Sequence, residues 1–381
     1  MTVTAGTLRN LRHGRLPRHV TTSLQILILA AVYFGAAKLG LTQELPPSTI
    51  SSPLLPPSGF ALAALLLFGL RMCPGIAIGA FCANITADPS IPVALAITAG
   101  ATLAPICAYL LLRRAGFHIE IQRLRDVLAL IFVGALAGMM VGAVVGTGVL
   151  VLSGRLPASS FWPRWWVWWA DDARGVLVVT PLLLVLRRVR LPRGVSALRW
   201  VEAWALAVAT IAASLSVNVS AFLFMVFPCL IWAAFRFQLA GAAPCQLVIS
   251  TLVMFALAHR TGAFAHRGAV LNVITYQAFN LATALTALLL SVIIAERNRT
   301  QQEIRQVCGQ LAELVAELGP VETTHRKPAP PGTGGPSHID DTNGAGTEAK
   351  LDPRTQTAER LGQARGSSRK SRTQRKNPGQ R

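Results

Sequence analysis

Three charged residues interrupt an apolar stretch in the middle of the sequence, namely Asp171, Asp172 and Arg174. On insertion scales a charge at the centre of a membrane helix costs about 2.5–3.5 kcal/mol, so such residues usually face the bundle interior and have a partner there. Asp171 and Arg174 stand three residues apart and can pair on one helix. Asp172 then needs a separate counter-charge, for which Lys38 is the best candidate. A structural ion pair, a ligand or proton site, and exposure at the membrane interface all stay open.

Polar residues also recur at spacings of four, four and three in the last long apolar stretch, at Asn272, Tyr276, Asn280 and Thr283. This spacing places them on one face of a helix, which is expected to turn inward. Other polar groups are expected at a similar depth, at Pro57, Ser58, Gly59, Asn84 and Asp172. Their convergence predicts a pocket that opens outward. The alternative is a hydrogen-bond network that only holds the bundle together, at about 0.6 kcal/mol per bond.

The sequence lacks the motifs of known enzyme and metal sites. HExxH, GxSxG, an ATP lid and a GGDEF-like segment do not occur in it. The six cysteines are scattered without a CxxC pair and are expected to be reduced packing residues. We therefore expect no catalytic activity, no metal and no cofactor, and nucleic acid is not an expected partner.

The composition sets the fold class that must position these residues. Hydrophobic residues make up 52% of the chain and charged residues 14%. Apolar runs long enough to cross a hydrocarbon core of about 30 Å exclude an ordinary soluble domain. The runs lack the two-residue alternation of a transmembrane barrel, so backbone hydrogen bonding in lipid requires helices. The sequence predicts an all-α, polytopic integral membrane bundle of about ten spans.

The predicted spans follow from the apolar runs and their polar breaks. They are expected near residues 21–41, 56–71, 74–87, 91–112, 126–152, 165–186, 200–217, 221–235, 239–258 and 271–294. The first is too long for a signal peptide and is interpreted as a retained span. Residues 56–87 are either two short spans or one re-entrant hairpin, which would leave about eight spans.

Arginine is distributed unequally between alternate loops. One set of loops holds most of it, at residues 9–18, 71, 113–125, 187–199 and 236. The other set holds only Arg155, Arg164, Arg260 and Arg267. Cytoplasmic loops retain positive charge, so we expect both termini to lie in the cytoplasm.

Two further patterns are interpreted as structural. The tryptophan-rich run at 161–169 is expected to anchor the protein at the outer membrane interface. Glycines at four-residue spacing in the fifth span are expected to let helices approach closely, at Gly134, Gly138, Gly142 and Gly146.

The ends of the chain differ from its centre. Residues 1–20 form a basic cytoplasmic tail, and residues 21–295 form the transmembrane domain. Residues 296–318 place Ile304, Val307, Leu311, Leu314 and Leu318 at alternating spacings of three and four, which predicts a short coiled-coil-like helix. Residues 319–381 are rich in Pro, Gly, Ser, Thr and basic residues and are expected to be disordered. Their basic end is either solvated or bound to anionic lipid.

Motifs in order along residues 20–300 resemble those of the first family of bacterial membrane-associated sensor domains, the MASE family. The resemblance rests on a Pro-Pro-x-Gly segment, a central W-W-x-x-D-A-x-G motif with Asp172 at its aspartate position, and a P-x-x-x-W-A-A-x-R-F element. The residues that match are Pro57, Gly59, Trp168, Trp169, Gly175, Pro181, Pro228, Trp232 and Arg236. The chain departs from the family pattern at Leu55, Gln238 and Ala263.

The resemblance implies a sensory input module of the bacterial plasma membrane that detects an unknown small molecule or membrane state. Family members usually continue into a catalytic output domain, which the sequence does not show after residue 318. The helix at 296–318 is therefore expected to act by homodimerisation or by binding a separate cytoplasmic kinase or cyclase. A small-solute transporter or channel is the alternative, because buried charges and short spans broken by Pro and Gly would also suit one.

Overall fold

The computed structural model describes residues 18–41, 56–187, 196–217, 222–265 and 268–317, and these contain helices and turns but no strand. Residues 1–17 of the predicted N-terminal tail and the whole predicted C-terminal tail, 319–381, lie outside the described residues, as does much of the predicted basic loop at 187–199. The helices are α1 Arg18–Leu41, α2 Pro57–Phe68, α3 Cys73–Ala87, α4 Ile91–Arg114, α5 Leu124–Leu128, α6 Gly138–Leu152, α7 Phe161–Leu186, α8 Ala197–Ser216, α9 Val226–Phe237, α10 Leu239–Ala258 and α11 Ala269–Glu317. A π-helical segment, Ala129–Ala137, joins α5 to α6.

Each predicted span coincides with a helical segment, which confirms the all-α membrane fold. Seven of the described segments are long and apolar enough to cross a bilayer. Helix α7 has 26 residues but carries the central charges. Helix α2 has 12 residues and is therefore about 18 Å long, which is less than the hydrocarbon core. Most of α2 is buried against other helices, the setting in which a short helix is tolerated at membrane depth.

Glycines allow the helices around the site to approach closely. A Cβ atom added to Gly138 on α6 would lie 2.7 Å from Ala108 Cα on α4, and one added to Gly142 would lie 3.0 Å from Ala104 Cβ. Gly59 on α2 lies directly against the backbone of Gly175 on α7, where any side chain would overlap. The Thr180 hydroxyl donates a hydrogen bond to the Gly59 carbonyl at 3.0 Å. These contacts fix α2 and α6 to α7 and α4.

Three polar contacts join helix ends across the bundle. Arg155 after α6 pairs with Asp88 after α3. Arg236 at the end of α9 pairs with Glu202 near the start of α8, with 2.5 Å between Nε and Oε2. Arg299 on α11 donates to Gln122 just before α5 at 3.2 Å. Each contact joins two ends that the alternation of loops assigns to the same side of the membrane, and the identity of that side stays a prediction.

Helix α11 runs without a break through 49 residues, which gives it a length of about 70 Å. This is more than twice the thickness of the hydrocarbon core, so the helix extends well beyond it. The predicted change of domain at residues 295–296 is therefore not marked by a break in the helix. In the extension, Ile304, Val307, Leu311 and Leu314 are 54–56% exposed and form one apolar stripe, the α11 seam.

Candidate functional site

A cavity of about 230 Å³ lies among helices α1, α2, α3, α4, α6 and α7. Its wall is largely apolar and is built from small residues of α3 and α4, among them Ala80, Ala83 and Ala104. Its polar and aromatic lining residues are Tyr33, Ser58, Asn84, Arg164, Trp168, Asp171 and Asp172. A mostly apolar cavity with a few converging polar groups has the composition of a small-molecule site.

One face of α7 supplies three of these residues at a spacing of four, Arg164, Trp168 and Asp172. Residues four apart lie one above the other on a helix, so the three line the cavity as a row. The Arg164 guanidinium carbon lies 5.9 Å from the centre of the Trp168 ring, a cation–π distance. The far edge of the Trp168 indole packs where Gly146 on α6 has no side chain, since an added Cβ would lie 2.6 Å from it.

Asp172 points from α7 towards α6. Its Oδ2 atom lies 3.5 Å from the position that a Cβ atom on Gly142 would take. The Ser58 hydroxyl on α2 donates a 3.1 Å hydrogen bond to the Asp172 backbone carbonyl, which holds this turn of α7 against α2. On the opposite wall, Asn84 is oriented by its hydrogen bond to the Thr98 hydroxyl, at 3.1 Å.

Asp171 lines the same cavity but belongs also to a buried network behind it. The Arg174 guanidinium lies 3.3 Å from Asp171 Oδ1, as the three-residue spacing predicts. The same guanidinium donates to the Tyr276 hydroxyl at 2.8 Å and to the Ser250 hydroxyl at 3.4 Å. The Gln277 side-chain amide donates to Asp171 Oδ1 at 2.6 Å. This network, which we call the Arg174 network, joins α7 to α10 and α11.

The polar face of α11 turns inward, since Asn272, Tyr276, Asn280 and Thr283 are all buried. These residues do not line the cavity. Asn272 donates to the Phe264 carbonyl at 2.9 Å, and Gln246 on α10 donates to the Thr283 hydroxyl at 2.9 Å. The prediction of an inward face is confirmed, but its residues form an interhelical network instead of joining Asp172 in one pocket.

Lys38, the predicted partner of Asp172, makes a different contact. Its ammonium nitrogen lies over the Phe34 ring, 5.9 Å from the ring centre. Across the ranges that the structure describes, no ion pair joins Lys38 to Asp172. A shared depth along the membrane does not bring two residues together unless their helices also face each other.

The remaining motif residues lie on α2 and α7, which border the cavity, and on α9, which does not. The Trp169 indole donates to the Leu136 carbonyl in the π-helical segment at 2.8 Å. Pro57 begins α2, Pro181 lies inside α7 and Pro228 lies in the first turn of α9. Trp232 is partly exposed, as are Trp162 and Trp166, in keeping with residues that face lipid or the membrane interface.

The sequence patterns do not identify several residues of the cavity and of the buried polar networks, which are Tyr33, Arg164, Ser250, Gln246 and Gln277. Gln246 and Ser250 stand four residues apart in an apolar helix, so the periodicity that revealed the stripe on α11 would have found them. Gln277 directly follows Tyr276 and does not fit the spacing of the stripe on α11, so the helical period does not identify it.

The chain matches the MASE1 family model over residues 24–298. No match is found among curated proteins or solved structures.

Proposed function

The chain belongs to the MASE1 family of membrane-associated sensor domains, and on this premise we propose that a small molecule in the cavity is its signal and α11 its output element. The membrane domain is then an input module that relays the state of the cavity to a separate cytoplasmic signalling partner. In this arrangement the cavity opens outward and both chain ends lie in the cytoplasm, as the arginine distribution predicts.

The observation that carries the proposal is the double role of Asp171. Its carboxylate lines the cavity and also accepts the hydrogen bond of Gln277, a residue of the same helix that continues to Glu317. A ligand that contacts Asp171 competes with Gln277 and Arg174 for the carboxylate oxygens. Both side chains of the Asp171–Arg174 pair are at least nine-tenths buried, so a change in their bonding is poorly screened by water.

Such a relay requires two arrangements of the bundle that the ligand binds with different affinity. A ligand that binds one arrangement about a hundredfold tighter shifts the equilibrium by about 2.7 kcal/mol. Losing or weakening one charge-assisted hydrogen bond is worth about 1.5–3 kcal/mol, which is of the same size. Rearrangement of the Asp171–Gln277 contact is therefore sufficient in magnitude to bias α11.

The output surface in this proposal is the α11 seam. Its alternation of three and four residues is the pattern that two parallel helices bury between them, so a second copy of the chain or a matching helix of a kinase or cyclase would cover it. Cys308 directly follows the seam residue Val307 and is exposed. Cross-linking of Cys308 between two copies therefore reports on how two seams face each other.

The test compares two buried glutamines in a full-length chain whose other cysteines are serine. Gln277→Leu removes the contact with Asp171, whereas the control Gln246→Leu removes a contact of α10 with Thr283 that does not involve the cavity. We expect Gln277→Leu to change the extent of Cys308 cross-linking in membranes and Gln246→Leu to leave it near that of the parent. Equal effects of the two variants would contradict the relay. Uptake of a labelled solute into proteoliposomes would favour a transporter instead.

A further inference from the structure

The cavity carries opposite charges at its two ends, on one face of α7. Asp172 and Arg164 both line it, with Trp168 between them. Asp171 has Arg174 and Gln277 as partners. Within the described parts of the chain, by contrast, neither Asp172 nor Arg164 takes part in any of the ion pairs. The cavity therefore offers one carboxylate and one guanidinium that form no direct ion pair within the described residues; the charges of Arg174 and Asp171 act on them only from a longer distance.

The two charged groups are too far apart along the helix to satisfy each other. Eight residues separate them, which corresponds to about 12 Å along the axis. The Arg164 guanidinium lies over the Trp168 ring and forms no ion pair with Asp172. Only a third group placed between them can contact both.

The wall between the two charges is suited to hydrocarbon. Trp168 presents an indole ring, and Ala83 and Ala104 line the same cavity with small apolar side chains. A ligand whose charges are adjacent, such as an α-amino acid, would leave one of the two protein charges unpaired. A ligand whose ammonium and acidic groups are separated by several methylenes would pair both and cover the indole.

We propose that the cavity binds a linear zwitterion, with its ammonium group at Asp172, its carboxylate at Arg164 and its hydrocarbon segment against Trp168. This inference rests on the proposed function only in taking the cavity as the place where the signal binds. Charge-assisted hydrogen bonds are the strong ones, and each end of the ligand supplies one to a side chain that is partly or fully removed from water.

Binding to the purified full chain in lipid nanodiscs tests the ligand class directly. The probe is radiolabelled 6-aminohexanoate, compared with hexylamine and hexanoate, which each keep one charge and the same chain length. We expect saturable binding of 6-aminohexanoate and at least about tenfold weaker binding of the two single-charge compounds. Glycine, whose charges are one carbon apart, should bind no better than they do. Absence of saturable 6-aminohexanoate binding, or equal affinity for hexylamine, would overturn the proposal.

Two variants assign the ends of the ligand. Asp172→Asn should weaken 6-aminohexanoate and hexylamine at least about tenfold and leave hexanoate unchanged, whereas Arg164→Gln should weaken 6-aminohexanoate and hexanoate and leave hexylamine unchanged. Arg236→Gln, which removes an arginine whose partner is Glu202 outside the cavity, is the matched control and should bind like the parent. Monodisperse elution of each variant shows that it is folded. Equal effects of both cavity variants on all three compounds would refute the orientation.

Failure of this inference and failure of the sensor proposal give different results. If 6-aminohexanoate binds but leaves Cys308 cross-linking unchanged, the ligand class stands and the relay does not. If Gln277→Leu alters cross-linking while 6-aminohexanoate does not bind, the relay stands and the ligand class is wrong.

Discussion

Replacement of Arg174 by methionine tests whether the contacts of the Arg174 network depend on one another in their contribution to the free energy of unfolding. The guanidinium is 3% exposed and contacts Asp171, Tyr276 and Ser250. Methionine retains a long unbranched side chain but removes the charge and every donor, so the buried Asp171 carboxylate loses its adjacent cation. Breaking a buried ion pair from one side costs about 3–5 kcal/mol, and we expect Arg174→Met to lose this much unfolding free energy.

A thermodynamic cycle separates the pair from its surroundings. Asp171→Asn keeps the shape of the side chain and an acceptor for Gln277 but leaves Arg174 without the carboxylate charge. The double variant removes both charges together, so it should be less destabilised than the sum of the single variants by about 1–3 kcal/mol. Arg299→Met is the control, because both contacts of Arg299, with Glu303 and with Gln122, lie on an exposed surface, so the variant should lose at most about 1 kcal/mol.

The assay is unfolding of the purified chain in mixed micelles with increasing denaturing detergent, followed by tryptophan fluorescence. Single-variant costs no larger than that of Arg299→Met would refute the reasoning. Additivity of the two changes within about 0.5 kcal/mol would do the same, because residues that share no interaction energy add to that precision.

Three further predictions concern other parts of the molecule. Asp172→Asn should accumulate in the membrane at least as well as the parent by immunoblot, since removing a charge from a span eases insertion by about 2.5–3.5 kcal/mol. Its response to the signal should be altered. Poor accumulation that a change at Lys38 rescues would instead support an ion pair between Asp172 and Lys38. Gly138→Leu should lower the unfolding free energy by about 1–3 kcal/mol because its side chain meets Ala108, whereas Gly148→Leu on the same helix, with no atom within 4 Å, should have little effect. Leu311→Pro should abolish Cys308 cross-linking without changing ligand affinity, since proline breaks the helix far from the cavity; retained cross-linking would contradict the role of the seam.

The span pattern was predictable because it depends on the length of apolar runs, and length is read directly from the sequence. The inward face of α11 was predictable for a similar reason, since the spacing of Asn272, Tyr276 and Asn280 matches the helical period. The π-helical segment before α6 was not predicted, because its residues are ordinary apolar ones. The Trp169 indole donates a hydrogen bond to Leu136 in this segment. The two residues are 33 positions apart, so the local sequence does not reveal the contact.

The composition of the cavity could be predicted only in part. Of the residues that the sequence groups by depth, Pro57, Ser58, Asn84 and Asp172 line the cavity, whereas Gly59 packs against Gly175 instead. Depth fixes the position of a residue along the membrane normal but not the direction in which its helix face points. Because the sequence does not give this direction, it pairs Lys38 with Asp172 and places the polar stripe of α11 in the pocket, and the structure shows neither.

The uninterrupted course of α11 has a consequence for any element joined to its far end. A rigid helix transmits rotation about its axis, and each residue advances the angle by about 100°. The direction in which Leu314 faces is therefore set by the angle at which Gln277 meets Asp171, some 37 residues away along the same rod. Inserting one residue where α11 leaves the membrane would rotate every later side chain by about 100° around the helix axis. Inserting seven residues would leave the direction of those side chains nearly unchanged.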